Sequence, residues 1–148
     1  MSTKKFREFL EKNSIDIEIL ESPEKTHTAQ QAANVHNVPV SNIAKSILVK
    51  IDKEFVLLLV PGDRKVDLKR KKCKIAKPEE VKKTTGYSIG GVPPFGHKQK
   101  IKTYIEDGFD EESEVLAAGG SPNSIIKINI SKLKKIISNL QQPDQDIS

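Results

Sequence analysis

The run Phe55–Val60 constrains the fold more than any other stretch of the chain. It consists of six consecutive apolar residues, a pattern typical of a strand that is buried on both faces. The segment before it, Lys45–Ile51, also has the pattern of a strand, and the polar residues 52–54 between the two favour a turn. The sequence therefore predicts a β-hairpin whose second strand is covered by other elements on both sides.

Apolar spacing predicts the other elements. Alternation predicts a strand through Ile15, Ile17 and Ile19, and further strands are predicted near residues 75–76, 101–105, 115–118 and 125–130. Helices are predicted after Ser2 or Thr3, after Thr28 with a Thr28–Gln31 capping box, from Pro78 to Gly86, and after Ser131.

These elements predict a single mixed α+β domain with a curved, barrel-like mixed sheet of about six or seven strands and about four or more helices around it. Two successive hairpin-like pairs argue against a pure βαβ arrangement. A chain of 148 residues fits one domain. Residues 1–140 are expected to form it, and residues 141–148 a polar, frayed tail.

Composition excludes several classes of site. The single cysteine excludes an internal disulfide, and no spacing typical of a zinc site occurs, so neither a metal nor a cofactor is expected. No membrane-spanning run or signal peptide is evident, which predicts a cytoplasmic location without membrane association.

The net charge of +5 favours polyanion partners. A cluster of basic residues at 69–74 is the clearest feature that favours them, although a solvated surface turn explains this cluster as well.

The stretch Gly90–His97 is rich in glycine and proline and cannot form a regular helix. It is predicted to be a stiff loop whose bare backbone lets a ligand approach closely, although an ordinary tight connection is an equal alternative.

Lys45 is the other unusual feature, since a charge interrupts an otherwise buried pattern there. Its side chain either points into a cleft or extends to solvent from the start of a strand. Cys73 lies among lysines but has no evident histidine partner, which argues against a nucleophilic role.

Several short motifs follow one another along the chain: Thr28-Ala29, Ile43–Ile47, Leu59–Asp63, Val66–Leu68, Gly86-Tyr87, Gly90–Gly96 and Ala118–Gly120. In their order and spacing, these motifs resemble the YbaK/ProRS-associated family of trans-acting aminoacyl-tRNA deacylases. The resemblance covers residues 5–140.

The resemblance implies a barrel-like sheet surrounded by helices, and hydrolysis of the ester between a wrong amino acid and the 3′-terminal adenosine of tRNA. The family's lysine falls on Lys45, and Gly91 and Gly119 are the other residues expected at the reaction. The implied partners are the acceptor end of tRNA and an aminoacyl-tRNA synthetase. The residues expected to bind substrate are Thr28, Ser46, Gly90, Pro94, Phe95, Gly96, His97, Ala118 and Gly120.

The amino acid removed is left open between alanine and cysteine. Cysteinyl-tRNA(Pro) deacylases of the family carry a serine before the paired glycines, whereas this chain has Ala118, and they carry an acid near the position of Lys127. The segments Gly119–Asn123 and Pro93–His97 look more like the alanyl-tRNA(Pro) branch or the free-standing archaeal-type branch.

The expected chemistry uses a positioned water, alone or helped by the ribose hydroxyls of the substrate, rather than a side-chain triad. Lys45 would supply positive charge, and N–H groups of the glycine loops would hold the aminoacyl carbonyl. Two alternatives stay open at this point. The first is a catalytically silent module that binds tRNA or a nucleotide, and the second is a structural partner of a synthetase.

Overall fold

The structure, a computed structural model, describes residues 2–22 and 28–141, without the side chains of residues 2, 70 and 71. The helices are α1 (Ser2–Lys12), α2 (Ala29–His36), α3 (Leu68–Lys71), α4 (Pro78–Thr85) and α5 (Ile130–Gln141), with a 3-10 turn at Val40–Asn42. The strands are β1 (Ile19–Glu21), β2 (Ile43–Ile51), β3 (Glu54–Pro61), β4 (Lys74–Ile75), β5 (Lys102–Ile105), β6 (Glu114–Ala118) and β7 (Ser124–Asn129).

All seven strands belong to one mixed sheet in the order β1-β7-β6-β2-β3-β5, with β4 paired to β2 beside this path. β2 and β3 form the predicted antiparallel hairpin, while β2 pairs with β6 and β3 with β5 in parallel. The mixed α/β class is confirmed. The barrel-like form is not, because the sheet of the described residues is open, with β1 and β5 at its ends.

The sheet is buried on both faces, as the apolar run in β3 predicts. Leu57 and Leu59 contribute to a core cluster that includes Phe6 of α1, Val81 of α4 and Leu133 of α5. The intervening Val56, Leu58 and Val60 pack on the other face with Cys73. A third cluster on this second face joins Ile43 and Leu116 to Ala32 and Ala33 of α2. Each face therefore supplies apolar area whose burial stabilises the domain.

Local signals locate several element ends correctly. Thr28 caps α2 and accepts a hydrogen bond at Oγ1 from Gln31 N at 3.1 Å. Gly86 ends α4 with a φ of +85°, and its N–H donates to Lys82 O at 2.9 Å. A residue without Cβ suits this left-handed position.

Two predicted ends are wrong. The strand predicted from Ile15 begins only at Ile19, because pairing with β7 starts at Ile19–Ile126. Ile15 and Ile17 still pack against the core without belonging to the ladder. α5 is capped by Asn129 rather than by Ser131, whose N–H donates to Asn129 Oδ1 at 2.8 Å. Gln141, the first residue of the predicted tail, belongs to α5 instead and accepts from Thr103 N at 2.8 Å, and residues 142–148 of the tail lie outside the described residues.

Candidate functional site

A cavity of about 700 Å³ opens where the sheet is interrupted beside β2. One edge of β2 pairs with β3 along its whole length. The other edge pairs with β6 only at Ile43 and Ala44, and with β4 only at Val49 and Lys50. The cavity occupies the gap between these two short ladders. Its wall includes the β2 residues 44–48, the ends of β6 and β4, the start of α2, the loop at 62–65, and residues 89, 90 and 92 of the loop after α4.

The interruption leaves main-chain groups of β2 exposed to the cavity. The Ile43 carbonyl accepts from Gly62 N on the β3 side, and the Leu48 carbonyl accepts from Ala76 N on the opposite side. Because main-chain direction alternates along a strand, Ser46 points its N–H and C=O toward the gap. Neither ladder includes Ser46, so these two groups have no strand partner among the residues that the structure describes. The Ser46 Oγ is buried and likewise lacks a hydrogen-bond partner within the described chain.

Lys45 lies where two apolar clusters on one face of the sheet meet. Ile43 belongs to the cluster under α2, and Ile47 packs against the cluster around Cys73. Alternation places Lys45 on this same face, between them. Its Nζ donates to the Arg64 carbonyl at 2.6 Å, which ties the ammonium to the loop after β3. Lys45 also lines the cavity, so it points into a cleft rather than only toward solvent.

The surroundings of Lys45 lower its pKa from 10.5. Partial burial is the main cause, because it disfavours the charged form. The neighbouring Asp63 raises the pKa and Lys65 lowers it further, both by smaller amounts. Lys45 is thus a cation whose charge is less strongly hydrated than that of a free surface lysine.

The glycine-proline loop contributes its first half to the cavity. Gly90 lines the cavity and has a φ of +88° at the end of a tight turn. The N–H of Gly91 closes this turn by donating to the Ser88 carbonyl at 2.9 Å. A Cβ at Gly91 would lie 2.8 Å from Cα of Ser121, so only glycine allows the two loops to meet this closely.

The second glycine loop is held by a partly buried polar network. The N–H of Gly119 donates to the Ser124 carbonyl at 2.9 Å. Thr3 of α1 donates through Oγ1 to Ser121 Oγ at 3.1 Å, and the N–H of Ser121 donates to Ser124 Oγ at 3.1 Å. Helix α1 therefore fixes the position of this loop, and Ala118 at its start lines the cavity.

The structure brings together only part of the predicted site. Five predicted residues line the cavity: Thr28, Lys45, Ser46, Gly90 and Ala118. Gly91, Gly119 and Gly120 lie in the adjoining loops but are not part of the cavity wall, and the N–H groups of Gly91 and Gly119 already have acceptors in the chain.

The remaining predicted residues, 94–97, line a separate cavity of about 220 Å³ beside α5. Phe95 packs its ring against Phe6 and Phe9, at centroid distances of 5.5 and 6.2 Å. His97 Nε2 lies 2.7 Å from the Pro93 carbonyl, and burial lowers the pKa of the imidazole. This half of the loop thus packs on the core beside α1, away from Lys45.

Sequence reasoning missed several residues at the cavity. The Arg64 carbonyl that holds Lys45 carries no sequence signal, because every residue has a carbonyl. Ile75 and Ile89 also line the cavity and are 55% and 58% exposed. Exposed isoleucines are a signal that only a structure can reveal, since sequence alone assigns them to a core.

The basic cluster adjoins the cavity through β4. Lys72 and Lys74 are exposed, whereas Cys73 between them is buried among apolar side chains. Ile75, the next residue, lines the cavity. Within residues 2–22 and 28–141, no group of histidine, cysteine, aspartate and glutamate side chains could hold a metal ion. The same residues include no helix long and apolar enough to span a membrane.

Comparison with protein families gives a match over most of the chain. The model that describes the aminoacyl-tRNA editing domain matches residues 23–136. YwhH of Bacillus subtilis, an uncharacterized protein, is 32% identical over 142 residues, which cover 91% of this chain and 90% of YwhH.

Proline–tRNA ligases contain a similar segment. The enzyme of Thermosipho africanus is 36% identical over 99 residues, and that of Staphylococcus aureus strain MRSA252 is 30% identical over 122 residues. The matched segment covers 62% and 78% of this chain but only 18% and 21% of the ligases. Among solved structures, a candidate trans-editing enzyme for prolyl tRNA synthetase superposes with a TM-score of 0.85 at 31% identity, over 93% of this chain and 92% of that one.

Proposed function

Because this chain belongs to the aminoacyl-tRNA editing domain family, we propose that it hydrolyses the ester of a mischarged tRNA that carries a small amino acid. One observation carries the proposal. Lys45 projects into a cavity of about 700 Å³ that adjoins unpaired main-chain groups and an exposed basic segment. The volume lies within the range of cavities that hold small molecules, and suits a terminal nucleoside with a short acyl group.

The proposed reaction uses a water molecule as nucleophile. The water oxygen attacks the ester carbonyl carbon, and the bond from that carbon to the ribose oxygen breaks. The ribose oxygen takes one proton of the water and regains its hydroxyl, the other proton passes to solvent, and the amino acid leaves as a carboxylate. Lys45 stabilises negative charge, either on the terminal phosphate or on the ester oxygen during attack.

The proposed donors to the carbonyl differ from those that the sequence predicts. The N–H groups of Gly91 and Gly119 donate within their own loops, which supports a role in shaping the wall rather than in holding the oxyanion. Of the glycines that the sequence predicts at the site, Gly90 is the one in the cavity wall, where a substrate can approach its backbone directly.

We further propose that the substrate is an alanyl or cysteinyl ester of a proline-type tRNA. The similarity to proline–tRNA ligases supports the choice of tRNA. The short side chains of Ala44, Ala117 and Ala118 in the cavity wall leave room for an acyl group, but a pocket discriminates a methylene only by about 10- to 200-fold. A synthetase is the proposed partner that delivers the tRNA.

A catalytically silent binding module is the second candidate. The engaged N–H groups of Gly91 and Gly119 favour it, because they reduce the number of donors that can stabilise a transition state. A module of this kind would bind the charged acceptor end and leave the ester intact.

Turnover on a panel of alanyl-, cysteinyl- and seryl-tRNA tests the proposal. The wild type is expected to release one of these amino acids. Lys45→Ala is expected to lower the rate by about 10²–10³, the usual cost of losing one stabilising group. Lys53→Ala is the matched control, because Lys53 is an exposed lysine in the turn at the other end of the same strand.

Each outcome supports or refutes a different function. Equal rates for Lys45→Ala and wild type would refute the role of Lys45. Binding of charged tRNA without release of any amino acid would support the silent module, and neither binding nor turnover would indicate a structural partner.

A further inference from the structure

We infer that the unpaired edge of β2 at Ser46 binds the aminoacyl group as though that group were one residue of a neighbouring strand. The α-ammonium donates to the Ser46 carbonyl, and the acyl carbonyl accepts from the Ser46 N–H. The identity of the ligand rests on the proposed function. The open edge itself rests on the strand pairing alone.

The strand ladders define this edge closely. The parallel ladder with β6 stops at the pair Ala44–Ala117, and the antiparallel ladder with β4 starts at Val49–Ile75. The Leu48 carbonyl is already used by Ala76 N at 2.9 Å. Ser46 is thus the residue of the gap whose N–H and C=O both point toward the cavity and are both unpaired in the ladders.

Unpaired main-chain groups at a cavity wall need a partner. A buried N–H or C=O without one costs free energy, so the great majority of such groups are paired in native proteins. β2 is otherwise paired along both of its edges, which makes the interruption at Ser46 a local feature rather than the fraying of a strand end. The Ser46 Oγ, buried and also without a partner among the described residues, lies at the same position.

An aminoacyl ester has the chemistry that this edge requires. Its nitrogen and its carbonyl are separated by one Cα, as in an amino-acid residue of a strand. Two residues that face each other in a hydrogen-bonded antiparallel pair exchange both N–H···O bonds. A free α-ammonium strengthens one of these bonds, because hydrogen bonds to charged groups are stronger than neutral ones.

The edge also places the ester beside the other cavity groups. Lys45 precedes Ser46 and points to the opposite face of the sheet. Lys45 would therefore lie on one side of an acyl group bound at this edge. Val92, which belongs to the core cluster on the other face of the sheet, would lie on the opposite side. This arrangement leaves the acyl carbon open to water from the cavity.

The direct test uses the unaltered chain and a hydrolysis-resistant ligand. 3′-(L-alanylamino)-3′-deoxyadenosine is titrated into ¹⁵N-labelled protein, and its 3′-propionylamino counterpart, which lacks only the α-amino group, is titrated in parallel. The Ser46 amide proton is expected to move downfield with the alanyl ligand. The propionyl ligand is expected to bind at least about tenfold more weakly, because it lacks a charged hydrogen-bond donor. Equal affinities, or a Ser46 amide that does not move, would overturn the inference.

Two variants separate the main chain from the side chain. Ser46→Ala removes Oγ and keeps the N–H, whereas Ser46→Pro removes both. A proline suits a strand position whose N–H is not in a ladder, and thermal unfolding checks that the variant folds. The preference for the alanyl over the propionyl ligand is expected to persist in Ser46→Ala, and alanyl binding is expected to fall in Ser46→Pro. Unchanged alanyl binding by folded Ser46→Pro would contradict the inference.

Turnover measurements keep this inference distinct from the proposed function. If the alanyl ligand binds and moves the Ser46 amide proton but no charged tRNA is hydrolysed, binding at the Ser46 edge is supported and the proposed deacylase activity is refuted. If charged tRNA is hydrolysed and the two ligands bind equally, the deacylase activity is supported and binding at the Ser46 edge is refuted.

Discussion

Lys45 shows how far single residues could be assigned from the sequence. A charge in an apolar strand pattern indicated an unusual side chain, and the structure explains it by a boundary between two apolar clusters. The opposite case is the segment 94–97. Glycine and proline indicate a loop, but they carry no information about which cavity the loop faces, and this half of it faces α1 and α5.

The lowered pKa of Lys45 predicts how ligand binding depends on pH. If the charged form holds the terminal phosphate, the affinity for a minihelix that carries a hydrolysis-resistant alanyl amide should decrease as pH rises through a pKa below 10.5. Lys45→Arg should retain affinity to higher pH, since a guanidinium stays charged there. Binding titrations across the alkaline range test this. The same decrease in affinity with rising pH in wild type and Lys45→Arg would contradict it.

The lowered pKa of Lys45 also determines how this residue affects the stability of the fold at different pH. The folded-state pKa lies below the value of 10.5, so folding favours the neutral amine. The resulting destabilisation is present in full below the folded pKa. It disappears as pH rises from the folded pKa to 10.5. The charge at Lys45 is therefore retained at a cost to stability, which is typical of functional positions.

At the level of elements, the cap of α2 links stability to the cavity. Thr28→Ala removes the acceptor for Gln31 N and should lower the free energy of unfolding by about 1 kcal/mol. For a chain of this size that corresponds to a decrease in Tm of about 2–4 °C. Thr28→Ser keeps a hydroxyl acceptor and serves as the control. Equal melting temperatures for the alanine and serine variants would show that the cap contributes nothing.

Element ends marked by proline, glycine or turn residues were predicted correctly, whereas the start of β1 and the gap beside β2 were not. The β2–β3 hairpin and both ends of α4 follow from alternation, turn residues, proline and glycine within a few positions. The strand predicted from Ile15 failed because the N–H groups of Ile15 and Ile17 donate to the Leu10 and Ile15 carbonyls, and the pairing with β7 includes only Ile19–Glu21. The interruption of the sheet beside β2 was not predictable, because it arises from two strands that meet β2 from different parts of the chain.

At the level of the whole molecule, charge should govern association with RNA. The net charge of +5 and the exposed Lys72 and Lys74 beside the cavity predict that tRNA affinity decreases steeply as salt increases. Replacing both lysines by glutamate should weaken binding and reduce the slope of log affinity against log salt by about 1 for each phosphate that is no longer neutralised.

The control for this measurement comes from another surface. Lys135 is exposed on α5, a helix whose residues line the smaller cavity rather than the one at Lys45. Lys135→Glu changes the net charge by two and should affect tRNA affinity less than the same change at Lys72 or Lys74. Equal effects at all three positions would indicate nonspecific attraction by overall charge.

The gap beside β2 has a consequence for how relatives of this chain are compared. Peptide N–H and C=O groups are supplied by every residue type except proline, which lacks the N–H. Position 46 can therefore vary between homologues while its two hydrogen-bonding atoms stay in place. Alanine scanning would overlook such a position, and backbone-directed probes such as amide-to-ester exchange would be needed to detect it.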